Sequence, residues 1–162
     1  MEVDRTLFET NFFGAVSLTK KVLPSMINRK TGHIVVISSI VGKFGFPLRS
    51  AYSASKHALQ GYFESLRAEL KTSNIRITIV SPGRIHTAIS LNAIDKNGEQ
   101  HGVMDEAQQK GMPADKCARK IIAAVKNNRK DILIGRKELL MFYIRKYIPC
   151  LYHNMVSKIK PT

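Results

Sequence analysis

Tyr52 and Lys56 stand four residues apart, the separation that sets two side chains on one face of a helix. A cation beside a phenol favours the phenolate and pulls a pKa of about 10 toward the range where the group exchanges protons with a substrate oxygen. Each unit of such a shift corresponds to about 1.4 kcal/mol. Alone the pair is weak evidence, because the tyrosine and lysine content of the chain gives about half such a pair by chance. Ser39 strengthens it. It follows a β-branched run, and a hydroxyl at the end of a strand can point out of the carboxyl edge of an open α/β sheet, where ligands bind. There it could hydrogen-bond the oxygen that Tyr52 protonates.

These groups need a scaffold, and the apolar pattern supplies one. Over 7–27, Phe8, Phe12, Ala15, Val16, Leu18, Val22, Leu23 and Met26 recur at three and four, which predicts a helix ended by Thr31-Gly32. The continuous run 33–39 predicts a strand buried on both faces. A loop through Gly42, Gly45 and Pro47 leads to the longest helical segment, 50–70, with Ala51, Ala54, Ala58, Leu59, Phe63, Leu66 and Leu70 along one side. A second buried strand is expected over 75–80, stopped by Ser81-Pro82-Gly83. The polar stretch 88–112, with Asn97-Gly98 and Gly111-Met112-Pro113, reads as a mobile excursion. A helix follows over 113–127 with Cys117, Ile121, Ile122 and Val125 inward, then a third strand over 131–135. Strands alternating with long helices predict an α/β fold around a parallel sheet.

Composition narrows the function classes. At 44% hydrophobic and 23% charged, the 162 residues can bury a core. The net charge of +14 excludes an acidic solvating protein and raises nucleic acid, an anionic membrane surface or a phosphate-bearing cofactor as partners. Residues 116–162 hold twelve Lys and Arg against two acids, so most of the excess lies in the tail. Cys117 and Cys150 have neither metal-ligand nor disulfide-framework spacing, Cys117 reading as core, and a reducing compartment is expected. His33, His57, His86, His101 and His153 form no ligand pattern, so no metal is predicted. Residues 1–10 are mixed polar and acidic, unlike a signal peptide. The apolar run 139–144 stops at Arg145 and Lys146, well short of the roughly 20 residues of a spanning helix. Over 139–160, Phe142, Tyr143, Tyr147, Leu151 and Tyr152 mix with Arg145, Lys146, Lys158 and Lys160, which fits either an interfacial segment on anionic lipid or a final helix over the substrate pocket with solvated lysines. Nucleic acid is not expected, because the cations lack a recognised binding fold.

Four segments carry a resemblance: Asn11-Phe12-Phe13-Gly14; Ile37-Ser38-Ser39 with Gly42 after it; Tyr52-Ser53-Ala54-Ser55-Lys56; and Ser81-Pro82-Gly83-Arg84-Ile85-His86-Thr87. In this order and spacing the sequence resembles the short-chain dehydrogenase/reductases from about residue 4 to residue 135, and within them the dehydrogenase/reductase member seven branch. The resemblance implies Tyr52 as general acid/base, Lys56 as the cation that lowers its pKa and holds the nicotinamide ribose, Ser39 as the group orienting the substrate oxygen, and Asn11 as anchor of a proton relay. It places Pro82 and Gly83 at the cofactor, with Ile85 and Thr87 at the nicotinamide carboxamide. The hydride belongs to the cofactor, leaving positioning and proton transfer to the protein.

The same resemblance sets the remaining expectations. The 162 residues contain no usable G-x-G-x-x-G turn and no N-N-A-G segment, so the pyrophosphate cradle at a helix N-terminus is absent from them. The expected fold is thus the carboxyl-terminal half of a Rossmann-type doubly wound sheet, about three strands, in a partial catalytic domain 1–135 followed by a basic and aromatic segment 136–162. The expected activity is an NAD(P)-dependent interconversion of an alcohol and a ketone or aldehyde on a lipophilic substrate. The cofactor is NAD or NADP, with NADP preferred, and only when an upstream half is present. The alternative is a truncated, non-catalytic fragment acting at most as an interaction or membrane-surface module. The branch implies association with the endoplasmic reticulum membrane. The family also implies homodimer pairing through helix 50–70, for which Phe63 and Leu66 are compatible, though they could equally cover the sheet.

Overall fold

A computed structural model describes residues 1–93, 98–99, 102–103 and 106–159; Asn97, His101 and Lys160, named above, lie outside the described residues. Helix α1 (Glu2–Phe8) runs through a π-helical turn (Glu9–Phe13) into α2 (Gly14–Asn28), so the helical segment begins before residue 7. Glu2 and Asp4 in its first turn complement the helix dipole. Lys30 at φ 51° then turns the chain into β1 (Gly32–Ile37). A 3-10 turn (Ile40–Gly42) and a loop lead to α3 (Ser50–Glu69), and Asn74 at φ 54° feeds β2 (Ile75–Pro82). The short strands β3 (Ile85–His86) and β4 (Met112–Pro113) pair in parallel, with α4 (Glu106–Gln109) between them. Helix α5 (Ala114–Lys126), strand β5 (Asp131–Ile134), α6 (Leu139–Tyr147) and α7 (Pro149–Val156) complete the order.

Among the described residues the main sheet has three strands in the order β1-β2-β5, all parallel, with Ile37 opposite Val80 and Pro82 opposite Ile134. Helices α3 and α5 supply the crossovers that parallel pairing requires. Strand β2 is central, and successive side chains go to opposite faces. Ile75, Ile77 and Ile79 pack with Leu59, Phe63 and Leu70, whereas Val80 joins Ile85, Met112, Cys117 and Ile134. Cys117 is therefore core, and burial pushes its thiol up.

Three expectations change. Strand β1 is not buried on both faces: it is an edge strand, mostly half-buried, with Ile37 47% exposed, because its outer edge has no neighbour among the described residues. On α3 the buried positions are Ser53, Ser55, Leu59, Gln60 and Phe63, while Ala54 is exposed. The alanines offered too little apolar area to decide which side turned inward. Phe63, 1% exposed, and Leu66 both pack in the sheet-covering cluster, so the residues compatible with pairing α3 to a copy serve the core. On α5, Ile122 is 54% exposed and Ala124 is buried in its place.

Candidate active site

The carboxyl ends of β1 and β2 lie side by side, and the backbone N–H of Ser38 continues the ladder by donating to Val80 O at 2.8 Å. The strand stops at Ile37, two residues short of the expected end, because Ser39 turns to cap the 3-10 helix, its Oγ accepting from Val41 N at 3.4 Å. The Ser39 hydroxyl is also near enough to the Tyr52 phenol to lower its pKa, so both hydroxyls stand at the sheet edge. Gly42 makes this approach possible. A Cβ there would stand 2.6 Å from Ser38 Oγ and 2.8 Å from the Lys56 carbonyl oxygen.

Electrostatics at Tyr52 run opposite to expectation. Burial pushes the phenol above its ordinary value; the Ser39 hydrogen bond and the Arg49 guanidinium pull it down without outweighing burial. Lys56 does not act as the lowering charge here. Its Nζ donates to Ile37 O at 3.2 Å and stands 5.8 Å from the Tyr52 ring centroid, and burial pushes the ammonium itself down. Sharing a helix face brought the two residues together, but the lysine found a strand-end carbonyl rather than the phenol oxygen.

Asn11 sits in the π-helical turn, a local distortion that often marks functional positions. Its Nδ2 donates to Ser55 Oγ at 3.2 Å, and Ser55 Oγ donates to the carbonyl of Tyr52 at 2.9 Å. Asn11 is thus tied to the first turn of α3. A second network lies below: Gln60 Nε2 is 2.9 Å from Ser38 Oγ and 3.0 Å from Ser81 Oγ, while Ser38 Oγ donates to Lys56 O at 3.0 Å. All three side chains are buried, and Gln60 Oε1 has no hydrogen-bond partner among the described residues. Ser38, Ser55 and Ser81 stand in the motif segments without a role of their own, and Gln60 lies outside those segments. The signal was there as polar residues at positions whose neighbours in helix and strand are core.

At the end of β2, Gly83 N donates to Ile134 O at 2.7 Å, which carries the β2-β5 ladder past Pro82. A Cβ on Gly83 would collide with the Glu138 carboxylate, whose Oε1 accepts from Arg84 N at 3.0 Å. Ile85 is buried in β3, and its carbonyl accepts from the Gln108 side chain. Thr87 is exposed, its Oγ1 engaged with Ile89 N at 3.4 Å. Pro82, Gly83, Ile85 and Thr87 therefore follow the chain from the carboxyl end of β2 through β3. His33 serves the sheet, its Nε2 lying 2.8 Å from Thr78 Oγ1. Among the described residues no three His, Cys, Asp or Glu side chains gather as a metal group would require.

Comparison with known proteins gives this edge its context. The short chain dehydrogenase family model matches residues 2–98. Dehydrogenase/reductase SDR family member 7B of Mus musculus is 46% identical over 158 residues, covering 97% of this chain and 49% of the relative. The family protein 7-like of Drosophila melanogaster is 44% identical, covering 98% and 49% respectively. The chain spans about half the length of the curated relatives it matches. A short-chain dehydrogenase from Streptomyces avermitilis superposes with a TM-score of 0.71 at 28% identity over 95% of this chain and 59% of that one. One from Burkholderia cenocepacia J2315, in complex with NADP, gives 0.78 at 21% identity over 96% and 60%, a likeness of fold. The matched span takes in Asn11, Ser39, Tyr52 and Lys56, and the relatives bear the name of the branch that the motifs resemble. This chain belongs to the short-chain dehydrogenase/reductase family.

Proposed function

We propose that the chain carries the proton-transfer half of an NAD(P)-dependent oxidoreductase that interconverts an alcohol and a ketone or aldehyde. The observation that supports this most is the gathering of Ser39, which lowers the pKa of the Tyr52 phenol, and of Lys56, which donates to the last carbonyl of β1, at the carboxyl edge of a parallel sheet. Tyr52 carries its proton at neutral pH and can donate it to a substrate oxygen as a carbonyl is reduced, with the Ser39 hydroxyl working against the burial that weakens it as an acid. Ser39 would hold that oxygen against the phenol. Asn11, through Ser55, keeps the first turn of α3 in place beneath it.

The residues present fit one end of a dinucleotide. Lys56 at the strand end would meet a ribose, and the Pro82-Gly83 turn with Ile85 and Thr87 would flank a nicotinamide, whose chemistry when bound is hydride exchange. NADP is the preferred form in this reading. The 162 residues hold no glycine-rich phosphate cradle, and they cover about half of their relatives. The chain alone is therefore read as non-catalytic and the joined protein as the enzyme. A lipophilic substrate and a place at the endoplasmic reticulum membrane belong to the same proposal.

The test joins this chain to the upstream half of the Mus musculus relative. Tyr52→Phe should lower turnover of a carbonyl substrate by about 10²- to 10⁴-fold, the usual contribution of a general acid, with an unchanged far-ultraviolet circular dichroism spectrum; activity within a few-fold of the parent would overturn the assignment. Calorimetric titration of the isolated chain with NADPH and NADH should show no micromolar binding, and binding would remove the non-catalytic reading.

A further inference from the structure

The two helices after β5 form a compact unit with a sharp division of sides. Tyr152 and Val156 on α7, with Leu139, Met141, Phe142 and Ile144 on α6, pack around Ile40 and Phe44, and the Tyr152 hydroxyl bonds the Gly45 carbonyl. Away from that cluster, α6 exposes Leu140, Tyr143 and Tyr147, while Ile148, Leu151 and Met155 are exposed on and just before α7. Spacings of three and four put Leu140, Tyr143 and Tyr147 on one face of α6 and Leu151 and Met155 on one face of α7, with Ile148 at the cap between the helices. The stripes meet at the corner, where consecutive residues Tyr147 and Ile148 are 68% and 53% exposed. Single exposed apolar residues need no explanation, but six in two stripes joined at a corner do.

The charge around the stripes is of one sign. After Glu138 the chain has no acidic residue, while Arg145, Lys146 and Lys158 stand on or beside the helices. At the root of α6 a cleft of about 560 Å³ is lined by Arg84, Lys110, Arg136 and Lys137 against Glu106 and Glu138. Lys110 is paired with Glu106, and Glu138 accepts the Arg84 backbone N–H. Arg84, Arg136 and Lys137 have no ion pair among the described residues. None of Ser39, Tyr52 and Lys56 lines the cleft.

We infer that the α6–α7 hairpin docks onto an anionic phospholipid surface, lying in its plane. The apolar corner and stripes enter the headgroup boundary, and Lys146, Lys158 and the cleft cations Arg136 and Lys137 meet lipid phosphates. The helices have nine and eight residues, and no helix among the described residues is long and apolar enough to cross a membrane, so the contact is interfacial. This inference rests on the membrane location proposed above and is independent of the proton-transfer reading, so failure of either leaves the other standing.

The chain has no tryptophan, so Tyr147→Trp gives a single fluorescent reporter at the corner. Vesicles with about a third phosphatidylserine should blue-shift its emission and phosphatidylcholine vesicles should not; no shift with either, or an equal shift with both, overturns the inference. In co-sedimentation of the full chain, Lys137→Gln and Lys146→Gln should each weaken binding to anionic vesicles about fivefold at low salt, and Tyr147→Ser with Ile148→Ser should abolish it. Unchanged binding in these variants, at unchanged far-ultraviolet circular dichroism, overturns it. So does self-association of the free chain that the serine pair abolishes while vesicles are ignored.

Discussion

Replacing Gly42 by alanine tests whether the approach of the 3-10 turn to α3 is what seats Ser39 against Tyr52. The new methyl would stand 2.6 Å from Ser38 Oγ, 2.8 Å from Lys56 O and 3.0 Å from its carbonyl carbon. Carbon contacts relax near 3.5 Å or beyond, so the turn must retreat by roughly half an ångström or more. The Lys56 atoms are helical backbone and cannot give way. Such overpacking costs typically 1–3 kcal/mol, which for a domain of this size lowers the melting temperature by roughly 2–12 °C. Two other glycines make the comparison sharp. Gly61, exposed on the same helix, and Gly45, exposed in the loop, have nothing within 4 Å of an added Cβ. Gly61→Ala should therefore stabilise by about 1 kcal/mol through helix propensity alone, and Gly45→Ala should leave the melt nearly unchanged. Differential scanning calorimetry of the three variants at one pH decides it. If Gly42→Ala melts at or above the parent while Gly61→Ala behaves as stated, the close packing of turn on helix is wrong. The seating of Ser39 would then need another cause.

Three further outcomes follow from the same geometry. A Tyr52→Phe difference spectrum in the near ultraviolet should place the Tyr52 phenol above the ordinary tyrosine range, and Ser39→Ala should raise it further, because the Ser39 hydrogen bond lowers it. Since its folded pKa is raised, Tyr52 contributes stability that is present below about pH 10 and lost as pH climbs through the folded value. His33 is held below 6.5, first by burial and then by the Arg76 charge; the unfolded chain then binds more protons just below that pH, so stability should fall on acidification from about pH 6.5. Melts across that range should show a smaller acid-side loss in His33→Asn. Finally, Asn11→Ala and Ser55→Ala each remove the 3.2 Å bond between the two side chains, at about 1 kcal/mol apiece. Their double-mutant cycle should show coupling, and strict additivity would mean that Asn11 is not tied to α3 through Ser55.

The parallel α/β organisation was legible in the chain itself. The apolar runs 33–39 and 75–80 are β-branched and bounded by turn residues, and the motifs stand at fixed intervals that local periodicity can carry. Residues alone could not say which way a marginal face would turn. The alanines of α3 yielded to Leu59, Phe63 and three polar side chains, of which Gln60 reaches Ser38 and Ser81 at the ends of β1 and β2 and Ser55 meets Asn11 of the preceding helical turn. Nor could spacing assign the Lys56 ammonium, whose acceptor is a carbonyl nineteen residues away in sequence. Charge count placed the positive excess in the tail, and the fold decided that Tyr152 turns inward while Tyr147 and Ile148 form an open corner. The physical reason is common to all three. Pattern and composition are properties of neighbours along the chain, whereas burial, hydrogen-bond partners and the pKa shifts that follow are set by segments brought together from afar.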